Sequence, residues 1–159
     1  MNITKEEEQR YLELQLTALD FAREGKTKEL SSMIKHGMSV NLCTHKDDSL
    51  LMLATYNGNF ETSKMLLSYD VDINKINLRG QTPLEGVCFK GNIDIVKLLV
   101  ENGANSDGKA IIYATIFGNK DIVEYLKKHG SKSLKNNILG IKIELIALMI
   151  FKLKKLFFK

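Results

Sequence analysis

The feature that most narrows what this chain can become is a period of 33 residues. Gly25, Gly58 and Gly91 are each 33 apart, and Gly37, Asp70 and Gly103 follow them at a constant interval of twelve. Asn41 with Asn74, Leu51 with Leu84, Asn59 with Asn92, Lys64 with Lys97 and Leu66 with Leu99 keep the same offset. A period of this length makes each copy one supersecondary unit that cannot bury its apolar side alone, so the copies must stack as a solenoid. A fourth copy, residues 111–130, keeps the twelve-residue interval between Gly118 and Gly130. Gly118 lies 27 rather than 33 residues after Gly91, so six residues are missing from the preceding loop.

Within each copy the local signals are those of two helices and a turn. Thr82 is placed to cap a helix whose first position is Pro83, where a missing N–H costs nothing. Gly91 ends that helix. Ile95, Val96, Leu98 and Leu99 then form one stripe at helical spacing, and Gly103 stands where a left-handed residue terminates the second helix. Thr4 and Glu7 have the spacing of a capping box for a helix that runs through Tyr11, Leu12, Leu14, Leu16 and Leu19 into the first copy and is expected to cap the amino-terminal end. The reading is an all-α repeat domain over residues 1–135, with copies at 15–43, 44–76, 77–108 and 109–135. Residues 136–159 read as an amphipathic basic helix whose stripe Leu139, Ile143, Ile146, Ile150, Leu153 and Phe157 is expected to cover the last copy. The longest uncharged run there, Leu145 to Phe151, is far short of the ~20 apolar residues that span a bilayer.

Charge sharpens this division. The 159 residues carry 23 Lys and Arg against 19 Asp and Glu, a net of +4. Residues 131–159 hold seven Lys and one Glu, a net of +6, which leaves the rest at −2. A slightly acidic body without a clustered basic stripe is a poor wrapper of nucleic acid, and binding to a membrane surface through the basic tail is the lesser reading. Two cysteines, Cys43 and Cys88, provide neither a metal-type pair spacing nor a disulfide framework, which points to a reduced, cytoplasmic setting. The acidic start MNITKEEEQR lacks the pattern of an export signal.

No order of residues suggests catalysis: there is no nucleophile elbow, P-loop or Gly-rich dinucleotide turn. His36 and His129 occupy one repeat position near a helix carboxyl end, where a cation suits the dipole. Cys88 reads as a small packing residue and Cys43 has no catalytic partner nearby in sequence. No metal site is expected.

These residues together resemble the ankyrin repeat. Thr-Pro-Leu at 82–84, the inter-helix Gly, the Ile/Val-x-x-Leu-Leu stripe and Gly-Ala-Asn at 103–105 match its pattern over roughly residues 15–133. The resemblance implies an ankyrin-repeat solenoid that binds protein partners and is not an enzyme. It places the partner surface on the finger loops and the exposed ends of the first helices. By register these are Arg23 and Glu24, Tyr56 and Asn57, Phe89 and Lys90, Ile116 and Phe117 on the helices, and His45, Lys46, Asp48, Leu78, Arg79 and Gln81 on the fingers. The departures are Ser49-Leu50-Leu51-Met52 in place of Thr-Pro-Leu-His, Glu85 at a position usually held by His, and the shortened fourth finger. They imply looser loops than the family norm. The chain is also similar to short single-domain bacterial ankyrin proteins, a group that includes accessories of catalases in peroxide defence. That similarity implies an alternative of haem binding or haem trafficking with catalase as partner, Tyr56 or His45 as axial ligand, Phe89 as an apolar wall and Arg79 or Lys90 for the propionates.

Overall fold

A computed structural model describes residues 4–106 and 108–129. The expected helix over 136–159 and its role as a cap lie outside the described residues. The described residues form eight α-helices: α1 (Lys5–Glu24), α2 (Thr27–Lys35), α3 (Leu50–Tyr56), α4 (Phe60–Leu67), α5 (Pro83–Lys90), α6 (Ile93–Glu101), α7 (Gly108–Ile116) and α8 (Lys120–His129). No strand is found among the described residues. The chain divides into two compact units, Met1–Gln81 and Thr82–Lys159.

In the unit Met1–Gln81, α1 pairs with α2 and α3 with α4, while α1 packs on α3 and α2 on α4. Leu30, Leu50, Leu51 and Leu66 are wholly buried between them. The repeated polar positions join one copy to the next. The Asn59 side-chain amide donates to the Ala22 and Arg23 carbonyls at 3.0 and 2.8 Å, satisfying groups that the end of α1 leaves open. Asn41 donates to the Asp70 carbonyl at 3.2 Å and accepts from the Asp72 N–H at 2.8 Å. Gly25 is required twice over: its φ is +76°, and a Cβ there would lie 2.8 Å from the Asn59 amide oxygen.

In the unit Thr82–Lys159, α5 pairs with α6 and α7 with α8, α5 packs on α7 and α6 on α8. Leu84, Val87, Ile95, Val96, Leu99, Ile111, Ile122 and Leu126 make its core. Asn119 repeats the role of Asn59 and donates to the Cys88 carbonyl at 2.8 Å. The fourth copy lacks a finger, and only residues 102–107 separate α6 from α7.

As the spacing predicts, α1 runs without a break from Lys5 into the first helix of copy one. The Thr4–Glu7 box forms, and the Thr4 backbone N–H holds the Glu7 carboxyl below its ordinary range. Only Leu19 of the anticipated apolar series is buried, however; Tyr11, Leu12, Leu14 and Leu16 face water. The looser turns implied by Ser49 and Glu85 are also not found. Ser49 caps the Met52 N–H at 3.2 Å. Glu85 is buried and closes a reciprocal box with Thr82, so it replaces the family residue with a different but complete set of bonds.

Candidate functional site

The first finger is the segment Thr44–Asp48. Asp47 N–H donates to the Thr44 carbonyl at 2.9 Å and Thr44 N–H to the Asp48 carbonyl at 3.0 Å. The Thr44 hydroxyl accepts from the Lys46 and Asp48 N–H groups. Asp47 takes φ +58°, a left-handed conformation that Asp tolerates better than most side chains. The second finger, Asn77–Gln81, closes in the same manner, with Asn77 N–H on the Gln81 carbonyl and Gly80 N–H on the Asn77 carbonyl. The two fingers are joined by Leu78 N–H to the Lys46 carbonyl at 3.0 Å.

Beneath this edge is a polar cluster. Asn77 Nδ2 donates to Asp48 Oδ1 at 2.6 Å and Arg79 Nη2 donates to the same oxygen at 3.0 Å. Asn77 Oδ1 accepts the Arg79 and Gln81 N–H groups, and Arg79 Nε donates to Gln81 Oε1. Asp48, anticipated as a finger contact, is buried and serves as the acceptor that fixes the neighbouring finger. A residue 29 positions downstream folds over it, which its place in the first finger does not reveal.

The remaining expected contacts fall into the two units separately. In Met1–Gln81, Arg23, His45, Lys46, Tyr56, Asn57 and Arg79 are exposed and Gln81 is half-buried. Arg23 pairs with Asp20, and Asn57 donates to the Leu53 carbonyl at the end of α3. Tyr56, 37% exposed, ends α3, whereas His45 belongs to the finger turn. In Thr82–Lys159, Lys90 and Phe117 are exposed and Ile116 is half-buried. Phe89 is half-buried and meets Phe117 edge to face at 4.2 Å, so this aromatic pair is packed as well as presented. Sequence reasoning missed Ile76, 57% exposed just before the second finger. Its offset from Cys43, two residues before His45, was the available signal.

Among the described residues, no group of three or more His, Cys, Asp and Glu is arranged to hold a metal ion, and no helix is long and apolar enough to cross a membrane. Both thiols are shifted upward by burial. Cys43 is half-buried, and Cys88 is pushed up to about 12 by burial and the nearby Glu85. Because the folded state holds the Cys88 thiol protonated beyond its ordinary 9.0, its contribution to stability is complete below about pH 9 and declines as pH rises toward 12. Urea midpoints measured from pH 8 to 11 should fall less steeply for Cys88→Ala than for the unaltered chain. Equal slopes would contradict the assignment.

Paired helices, inter-helix glycines and hydrogen-bonded fingers at this period define a repeat protein of the helical solenoid class. The family model described as ankyrin repeats (3 copies) matches residues 51–137, and the chain belongs to the ankyrin-repeat family. It is 30% identical over 128 residues to mouse ankyrin repeat and SAM domain-containing protein 6, covering 74% of this chain and 14% of that protein. It is 34% identical over 91 residues to human protein phosphatase 1 regulatory subunit 27, covering 56% and 58% of the two chains. Over 46 residues it is 44% identical to a putative ankyrin repeat protein of Pseudomonas aeruginosa, covering 29% of this chain and 27% of that one. The crystal structure of the human ASB11 ankyrin repeat domain superposes with a TM-score of 0.66 at 28% identity, covering 72% of this chain and 54% of that one. The chain therefore spans about one seventh of the first relative and little more than half of the second.

Proposed function

We propose that this chain is a non-enzymatic protein-binding module whose partner lands on the finger edge of the Met1–Gln81 unit, with Leu78 as apolar anchor and His45, Lys46 and Arg79 around it. One observation carries the reading: Leu78 is 71% exposed, yet its backbone is held by the bond to Lys46 and flanked by the Asn77 cluster. A large apolar side chain held in water on a fixed finger loses little conformational freedom when a partner covers it. Arg23, Tyr56, Asn57 and Gln81 extend the surface within this unit, while Phe89, Lys90 and Phe117 form a second patch on the other. A relative that is by name a regulatory subunit fits a chain that works by binding another protein.

Affinity capture from the source cell, read by quantitative mass spectrometry, tests this. Leu78→Ala should weaken recovery of the principal partner roughly thirtyfold, the equivalent of about 2 kcal/mol, with the melting temperature unchanged. A partner held equally well by Leu78→Ala and Arg79→Ala would place the binding surface elsewhere.

A further inference from the structure

Helix α1 is 20 residues long, against 7 for α3 and 9 for α2, on which it packs. At 1.5 Å per residue it measures about 30 Å, three times the length of α3. Every residue from Thr4 to Leu14 is exposed. Its first turns nevertheless carry large apolar side chains: Tyr11 and Leu14 are close to half exposed, Leu12 is 54% and Leu16 62% exposed. At about 100° per residue Leu12 and Leu16 share one side of the helix and Tyr11 borders it, whereas Leu14 lies beyond Tyr11. An exposed apolar strip such as Tyr11, Leu12 and Leu16 make marks a contact surface. The charges around it select the occupant. Glu6, Glu7, Glu8 and Glu13 outnumber Lys5 and Arg10, so the strip is set in acid, and a second α1 laid against it would bring acid to acid.

The opposite composition occurs at the other end of the sequence. Residues 131–159 have a net charge of +6, and apolar residues recur at Leu139, Ile143, Ile146, Ile150, Leu153 and Phe157, the spacing of one helical stripe. We propose that the exposed turns of α1 are a docking site for residues 136–159 of a second copy of this chain. The Leu and Ile stripe covers Tyr11, Leu12 and Leu16, and Lys152, Lys154 and Lys155 meet the α1 glutamates. Two chains exchanging these segments reciprocally close into a dimer with nothing left over, the arrangement symmetric oligomers favour.

The test uses full-length protein in which unlabelled and 15N-labelled copies are mixed and joined by a zero-length carboxyl–amine cross-linker. Cross-links between Glu6, Glu7, Glu8 or Glu13 and Lys152, Lys154 or Lys155 should carry mixed isotope labels. Light scattering should give a dimer mass that declines with salt. Leu12→Asp together with Leu16→Asp should weaken the dimer roughly a hundredfold and leave the helical circular dichroism intact, since both side chains are exposed. A monomer at tens of micromolar would overturn the proposal, as would cross-links confined to single copies. It would equally fail if the lysines were joined instead to Asp121 and Glu124 of α8, or if the dimer persisted unchanged in the double variant. Anionic vesicles capturing a chain that stays monomeric would reassign the segment to a lipid surface.

Discussion

Leu99→Ala should lower unfolding stability by about 2 to 5 kcal/mol, the range for emptying a wholly buried leucine site. Leu99 is 0% exposed in α6, the helix that touches both α5 and α8, so the cavity opens where two copies meet. In a stack held by neighbour contacts, a weakened interface is felt beyond its own copy. The surface aromatics provide the comparison. Tyr56→Ala removes a side chain 37% exposed and should change the urea midpoint little. Phe89→Ala should lie between, because its edge-to-face pair with Phe117 is worth about 0.5 to 1.5 kcal/mol beyond simple burial. Urea unfolding of the three variants side by side checks the order; a loss for Tyr56→Ala as large as that for Leu99→Ala would make Tyr56 a core residue.

That order shows where the sequence was informative. Periodicity located the helices, the left-handed glycines and the buried stripe, since Ile95, Val96 and Leu99 are all at 0% exposure, with Leu98 alone of the four half-buried. These properties are local: spacing decides which side chains share a helix face, and a cap is decided within four residues. What escaped depends on a second copy closing over the first. Asp48 reads as an exposed finger charge until Asn77 and Arg79 fold onto it. Glu85 reads as a defect until its carboxylate is seen to meet the Thr82 N–H. Tyr11, Leu12 and Leu16 read as a cap because an apolar stripe does not disclose that the helix carrying it outruns its neighbours. The contact residues are the least legible, because register assigns a position to the surface without saying how it is engaged. Arg23 and Asn57 each satisfy local groups, whereas Leu78 extends into water.

Asn77→Ala should destabilise the Met1–Gln81 unit by about 3 kcal/mol, toward the upper end of the penalty for unmade buried hydrogen bonds, and should also weaken partner capture. One side chain holds four bonds: its amide reaches Asp48 Oδ1 at 2.6 Å and the Met52 sulfur at 3.1 Å, and its oxygen takes the Arg79 and Gln81 N–H groups at 3.0 Å each. Removing it leaves the Asp48 carboxylate, now buried with fewer donors, and frees the backbone on either side of Leu78. Arg79→Ala separates the two effects: the Arg79 side chain is 57% exposed, and the buried Asp48 carboxylate that it leaves still holds the Asn77 amide, so the loss of stability should be smaller than for Asn77→Ala. Asn77→Asp is the sharper probe. It keeps the oxygens that accept from Arg79 and Gln81 but sets a second carboxylate against Asp48, so the unit should be weakest near neutral pH and regain stability as pH falls through the carboxylate range and one of the pair takes up a proton. The unaltered chain has no such pair here and should not gain in the same window. If Asn77→Asp unfolds at the same urea concentration as the unaltered chain at pH 7, the cluster is not what holds the finger, and the rigidity of Leu78 must come from the Lys46 bond alone.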